Sequence, residues 1–543
     1  MAESTPKAGL QLWSSKAVFL LAAVGCSVGL GNLWRFPYLA GENGGGAFVI
    51  IYVFCVILIG LPVLAAELFI GRRGRGSAVG SVVRLAHAEG RSSWWALQSW
   101  IGMIGSSIIF TYYSVIAGWV IAYVVMFAAD VGAALAGHGL AGLAAGAFAD
   151  QSQAAVGDKL IALLSDPGRM IFYHAVFMGL TILIVARGVK SGIEAAVTFM
   201  MPAFFVMLVM LVVFALVAGD GARGLDFILG VRFQDHVTDD GQVFRGLLHG
   251  LSDGSIIAKA LGQAFFSIGL GSALMITYGA YMSKEQNIPS AARVIGLSDT
   301  AVGILAGVAI FPIVFHVGLD PTAGPTLMFQ TLPLAFQQMP AGSIFGLIFF
   351  ILAFFAAITS AIALLEATTA WINEQTKGDH RVAATAGVGG VIFVLGIANA
   401  LSQVPVGANG ESADFFNTWK PLDWVPLFKG KLLLDVLTGV TDIMLPVAGL
   451  ITAIFAGWIV STSASREELG FKTEAWYRRW RFLIRYVCPA AIIAIVVYSS
   501  VIGPYLASAS ARKACLAASA EAEAGNPSDG LPATLRECAA DAR

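Results

Sequence analysis

Long apolar runs separated by short polar stretches organise this sequence of 543 residues. Runs long enough to cross ~30 Å of hydrocarbon as helices fall near 16–41, 46–71, 97–128, 169–188, 194–218, 256–282, 294–318, 343–373, 384–402, 432–461 and 483–503, predicting eleven spans. Two of them, 16–41 and 256–282, carry glycine interruptions that read almost alike: Ser27-Val28-Gly29-Leu30-Gly31-Asn32 and Ser267-Ile268-Gly269-Leu270-Gly271-Ser272. In hydrocarbon every backbone N–H and C=O must find an internal partner, so a spanning helix breaks only where the freed groups line a cavity or hold a ligand. A break leaves bare N–H donors on one half-helix and bare carbonyls on the other, suited to an anion and a cation respectively. Paired interruptions in two halves of a membrane protein point to a binding site at the bilayer midplane. The alternative is a pair of small-residue packing faces.

Composition narrows the class. With 57% hydrophobic residues, 12% charged residues and a mean hydropathy of +0.78, the chain reads as an all-α polytopic membrane protein. A net charge of −1 gives no sign of a nucleic-acid partner. The seven histidines and five cysteines show no zinc-like spacing, and no nucleophile and base stand together, so an enzyme has no support. No cleavable signal is evident, and the first span is expected to stay in the mature protein. Arg72, Arg73, Arg75, Arg84 and Arg91, Lys284 and Arg293, and Arg466, Lys472, Arg478, Arg479 and Arg481 all fall on one side of the predicted spans. The positive-inside rule makes that side cytoplasmic, in a cell (inner) membrane, with the N-terminus inside and, for eleven spans, the C-terminus outside. The longer connections at 130–168, 219–255, 319–342 and 403–431 are then external and are expected to carry short helices. The domain plan is a cytoplasmic segment over 1–15, a ten-helix core over 16–461, an eleventh span over 483–503 and a polar tail over 504–543. Cys515 and Cys538 in that tail form either a disulfide or two unpaired thiols.

The segment Gly25 to Gly46, reading GCSVGLGNLWRFPYLAGENGGG, closely resembles the first-helix signature of the neurotransmitter:sodium symporters. Thr111-Tyr112-Tyr113, Phe265 to Gly271, and Ile358-Thr359-Ser360-Ala361 extend the resemblance in the family's order, from about Trp13 to the tenth span. It is strongest to the bacterial branch that carries leucine and other hydrophobic amino acids. The resemblance implies two inverted five-helix repeats (about 16–218 and 256–461) with helices one and six broken, the leucine-transporter-like fold. It also implies sodium-driven uptake of amino acids, with spans one, two, six and seven rocking as a bundle against a scaffold. The expected partners are a small amino-acid substrate, sodium at two sites as coupling ion and membrane lipid. No organic cofactor is expected, and the protein is expected to be a monomer or weak homo-oligomer.

Carried over residue by residue, the first sodium site would use Ser27, Asn32, Ser267 and Asp299, and the second Gly25, Val28, Ala356, Thr359 and Ser360. Oxygen ligands are what a hard cation takes, although a Thr-Ser pair in a membrane helix also bonds back to its own carbonyls. Asp299 stands where several family members have asparagine. The positions matching the family's chloride site read Tyr52, Gln263, Ser267 and Gly303, so the carboxylate is expected to replace chloride. Gly29 occupies the place of the monoamine carriers' aspartate, which implies a substrate bringing its own carboxylate. That group would meet Leu30, Gly31 and Tyr113, and the substrate ammonium would meet carbonyls near Ser27, Phe266 and Ser267. Cys26, Ile109, Gly269, Ser272, Ser360 and Leu364 would line the side-chain pocket under Phe266. The small Gly269 and Ser272 imply a roomy pocket for a large apolar or aromatic amino acid. Arg35 with Asp435 would form the outer gate, and Trp13 with Glu374 part of the inner one. Leu10 stands where the family's inner-gate arginine is expected, leaving Lys7 or Lys16 as substitutes. Gly192 and Pro202 match a Gly-x9-Pro spacing that accompanies local unwinding in related transporters. Other readings are a carrier of the same fold for a GABA-like compound or betaine, or a transport-dead sensor or channel.

Overall fold

The computed structural model describes residues 11–238, 243–322, 324–378, 380–407, 414–506 and 509. Lys7, Leu10, Cys515 and Cys538 lie outside the described residues, as does nearly all of the tail. The principal helices are α1 (Lys16–Ser27), α2 (Gly31–Glu42), α3 (Gly46–Gly74), α4 (Leu97–His138), α5 (Pro167–Ala186), α6 (Val189–Ala218), α7 (Gly254–Ile268), α8 (Leu274–Ala280), α9 (Ile288–His316), α10 (Gly342–Gln375), α11 (Arg381–Leu401), α12 (Leu433–Ile459) and α13 (Glu474–Leu506). Helix starts follow local chemistry. Ser15 accepts from the N–H of Val18 (3.2 Å) ahead of α1, Asp166 from Arg169 (3.0 Å) ahead of α5, and Asn287 from Ser290 (2.9 Å) ahead of α9. Each side-chain oxygen satisfies an N–H that the first helical turn leaves bare.

Among the described residues nine helices are long and apolar enough to span, and α1 with α2, bent by 50° at their break, make a tenth. The expected run 256–282 is divided into α7 and α8, each too short to be counted by length alone. The connections carry short helices as expected, together with one small antiparallel hairpin pairing His236 with Phe244 and Val237 with Val243.

Burial separates centre from periphery. In α10, 72% of the most apolar window is buried and in α3 67%, against 33% in α5 and α11 and 17% in α13. The central helices touch through glycine: a methyl at Gly71 of α3 would overlap the carbonyl of Ile276 in α8. Around the C-terminal half of α4, Tyr123, Phe127, Phe329 and Phe350 pack as an aromatic cluster, with Phe127 and Phe350 ring centroids 5.3 Å apart. Such close-packed cores are stiff, and α1 and α8 pack against α10.

Candidate functional site

The two breaks lie at the centre of this packing, and side chains collect their backbone groups. Helix α1 ends at Ser27, with Val28 extended (φ −74°, ψ 104°). The N–H of Gly29 then meets Asn32 Oδ1 at 3.0 Å, the N–H of Leu30 meets the Tyr113 hydroxyl at 3.4 Å, and Gly31 O accepts from Gln263 Nε2 at 2.9 Å. Helix α7 ends at Ile268, where Gly269 and Gly271 take φ of +74° and +72° and Ala273 of +65°. There the N–H of Gly271 donates to Glu67 Oε1 (2.7 Å) and Ser272 O accepts from Ser106 Oγ (2.5 Å). Glu67 is fully buried, and its other oxygen has no partner among the described residues.

Beside the first break sits a carboxylate with no countercharge among the described residues. Asp299 of α9 is fully buried and accepts from Asn32 Nδ2 (2.9 Å), from Ser267 Oγ (2.9 and 2.8 Å) and from the Tyr52 hydroxyl (3.3 Å). All these donors are neutral, and an unneutralised carboxylate at membrane depth is costly. Ser267 and Asp299 therefore present oxygens and a negative charge suited to a monovalent cation, while Asn32 turns its Nδ2 toward both and its Oδ1 to the N–H of Gly29. The fourth expected ligand, Ser27, turns its hydroxyl back to Val24 O (3.1 Å). The second oxygen set also converges. Ser360 Oγ lies 3.4 Å from Gly25 O and 3.3 Å from Val28 O, and Thr359 Oγ1 lies 3.2 Å from Ala356 O. Here the hydroxyls donate onto carbonyls: Ser360 joins α1 to α10, whereas Thr359 bonds back within α10, to Phe355 O (2.9 Å) as well as to Ala356 O.

Between the two sets is a cavity lined by Cys26, Ser27, Gly29, Gly31, Ile109, Tyr113, Phe266, Ser267, Gly269, Ser272, Leu274, Ser360, Leu364 and Leu445. Of the expected substrate residues only Leu30 is missing from this lining, and its N–H faces Tyr113 instead. Leu274 and Leu445 were not anticipated. Ser272 donates its hydroxyl to Gly269 O, which folds that side chain back onto its own turn.

The gates depart from expectation. Arg35 Nη2 contacts both carboxylate oxygens of Asp442 at 3.2 Å, with its guanidinium 4.6 Å above the Phe266 ring. Asp435, the expected acid, is exposed in the first turn of α12. Seven residues are about 10.5 Å along a helix, so the two acids cannot exchange roles. On the opposite side, buried Trp13 donates Nε1 to Tyr278 O (3.2 Å) and packs edge-on to Tyr278 and Tyr281. Glu374 is engaged not by Lys16 but by Arg84 Nη1 (2.7 Å) and the N–H of Ser77 (2.9 Å). Nearby, fully buried Glu366 accepts from Arg381 (2.5 Å) and from the Tyr281 hydroxyl (2.8 Å). Gly192 lies in the π-helical turn Val189–Glu194, and Pro202 lies inside the helix that follows. Glu194 ties that turn to the N-terminal strap by accepting from the N–H of Ser14 (2.8 Å). Glu67, Glu366 and Asp442 were legible as acids inside apolar runs, which are functional candidates by default. Arg84 stood among loop arginines with nothing local to single it out.

Known proteins share this architecture. The family model described as "Sodium:neurotransmitter symporter family" matches residues 11–131 and 159–406. An uncharacterized sodium-dependent transporter of Bacillus subtilis (strain 168) is 35% identical over 496 residues, covering 90% of this chain and 97% of that protein. One from Haemophilus influenzae is 31% identical over 494 residues, covering 90% and 97%. The crystal structure of MhsT in complex with L-phenylalanine superposes with a TM-score of 0.75 at 34% identity, covering 90% of this chain and 100% of that one. The shared fold is the leucine-transporter-like one with a broken first helix. The chain belongs to the sodium:neurotransmitter symporter family, and is a multi-pass membrane transporter rather than an enzyme.

Proposed function

We propose that this protein takes up a large hydrophobic or aromatic amino acid together with sodium, by alternating access and without chloride. The observation that carries the proposal is the buried, uncompensated Asp299 beside a cavity bounded by two helix breaks. Sodium, as co-transported substrate, would be held by Asn32, Ser267 and Asp299 at one site and by Gly25, Val28, Ala356, Thr359 and Ser360 at the other. The substrate carboxylate would face the N–H groups of Leu30 and Gly31 and the Tyr113 hydroxyl, and its ammonium the carbonyls at the end of α7. Ile109, Phe266, Leu274, Leu364 and Leu445 supply an apolar wall, and phenylalanine in the related MhsT structure agrees with that chemistry. Tyr52 and Ser267 aim their hydroxyls at Asp299, and the Phe36 ring is 3.3 Å from where a Gly303 side chain would begin, which supports chloride independence.

Two charges moving down 100 mV release about 4.6 kcal/mol, enough for accumulation on the order of a thousandfold. The Arg35–Asp442 pair with Phe266 closes one side and Trp13 against Tyr278 and Tyr281 the other, an occluded arrangement. We further infer eleven spans, α7 and α8 together forming the sixth, inverted repeats over about 16–218 and 256–461, and a cytoplasmic N-terminus.

The test is uptake of radiolabelled phenylalanine, tryptophan, leucine and glycine into chloride-free proteoliposomes under an inward sodium gradient, then with potassium in its place. Sodium-driven accumulation of the large substrates, abolished by Asp299→Ala, is the expected result. Accumulation of glycine or betaine in preference to them would overturn the substrate reading, and binding without accumulation would overturn transport.

A further inference from the structure

We propose that the foot of α13 is a binding surface for the phosphate headgroups of anionic phospholipids. The inference rests on the membrane-spanning arrangement proposed above, with this foot at the bilayer surface. Residues 462–487 carry six cations, Arg466, Lys472, Arg478, Arg479, Arg481 and Arg485, against three acids, Glu467, Glu468 and Glu474. Every acid is already engaged: Glu467 with Arg73 (3.4 Å), Glu468 with Arg72 (2.6 Å) and Glu474 with Arg466 (2.7 Å). Arg481 is turned inward onto the carbonyls of Ala456 and Val460, and Arg485 donates to Gly457 O. Lys472, Arg478 and Arg479 remain exposed with no carboxylate partner among the described residues.

The surroundings of these cations suit the edge of a bilayer. Trp476, Arg479, Phe482 and Tyr486 follow one another at spacings of three, three and four, which puts them on one face of the helix. The three aromatics on it are 55%, 58% and 50% exposed, an unfavourable display in water but the usual one at headgroup level. Arg479 lies 4.9 Å over the Trp476 ring and Arg485 5.1 Å over Trp458. Stacking holds a guanidinium flat and leaves its N–H edge for phosphate oxygens. The surface is also anchored rather than loose. Trp480 Nε1 donates to Pro62 O (3.1 Å), and Arg72 of α3 grips Glu468 and Gln286 O, so this foot is fastened to α3 at two places.

The full-length protein in detergent, offered phosphatidylglycerol and phosphatidylcholine together, reports the preference directly by native mass spectrometry of retained lipid. Each cation removed should lower the phosphatidylglycerol preference about fivefold at low salt. Arg478→Gln/Arg479→Gln should lower it about 25-fold on that scale. Lys472→Gln, which breaks no hydrogen bond or ion pair among the described residues, should show a single step, and Arg169→Gln at an exposed site on another helix none. A double variant that keeps the wild-type preference, or an equal loss in Arg169→Gln, overturns the proposal. Retention of glycerol phosphate as well as of the lipid would overturn the assignment to a bilayer component. Because retention is read without transport, a failure of the uptake reading leaves this result standing, and the reverse holds.

Discussion

The two glycine-broken hexapeptides are nearly the same in sequence and are used in opposite ways. At the first, Gly29 and Gly31 keep ordinary backbone angles, and what they provide is room. A methyl on Gly29 would come within 2.5 Å of Ser360 Oγ and 3.1 Å of the Tyr113 hydroxyl, and one on Gly31 within 3.0 Å of Phe266. At the second, Gly269 and Gly271 sit in the left-handed region, and what they provide is a conformation that side-chain-bearing residues resist. The partners differ to match. The first break is collected by neutral groups, Asn32, Tyr113 and Gln263, of which Tyr113 lines the cavity, whereas the second is held by a buried acid, Glu67, and a serine, Ser106. A repeated motif thus marks two breaks that both border the cavity, the first kept open by missing side chains and the second held in a left-handed conformation.

The sharpest test is Gly271→Ala, because that position carries both demands. Its φ is +72°, and an added methyl would overlap the carbonyl of Leu445. Left-handed strain and overpacking together should cost about 3–5 kcal/mol, read as a large fall in thermal midpoint with uptake lost. A variant as stable as wild type would show that the second break is not rigid. Next, Glu67→Ala leaves the Gly271 N–H without its partner and should cost about 2–3 kcal/mol. Glu67→Gln keeps an acceptor and should stay within about 1 kcal/mol in the same unfolding assay; equal losses would mean that charge rather than hydrogen bonding matters there.

The third test separates the two kinds of glycine. Gly269→Ala meets nothing closer than 3.4 Å, so only the backbone strain of about 1–2 kcal/mol should appear. Gly29→Ala should change stability by less than that and instead weaken substrate and sodium affinity by about 5–10-fold, as expected of a misplaced contact worth ~1 kcal/mol. Reversal of these two phenotypes would break the comparison. The smallest effect concerns the α2 side of the first break. Asp442→Asn should loosen the Arg35 clamp, changing uptake rate with about 0.5 kcal/mol lost in stability, while Asp435→Asn should leave both unchanged.

Much of the site was legible because its determinants are local. The lining residues from Cys26 to Leu364 sit in or beside the motifs that carry the family resemblance, which implied their roles, and eleven of the twelve expected substrate residues line the cavity. The gates were less legible. Asp435 and Asp442 lie on the same helix of the same sequence, and nothing in their neighbourhoods says which is level with Arg35. Glu374 found its cation in Arg84, separated by 290 residues, a pairing that depends on how the helix Ala78–Ala88 folds back under α10.

By itself the sequence determined where the chain can span a membrane, where two helices must break and which oxygen-bearing residues stand beside those breaks. Hydropathy, glycine content and motif spacing are properties of neighbours along the chain. The tertiary structure decided which acid meets Arg35, which arginine meets Glu374, that Glu67 supports the second break and that Asp299 meets only neutral donors among the described residues. Those are statements about groups far apart in sequence, set by the heights at which packed helices lie against one another, and a difference of two helical turns is enough to exchange one partner for another.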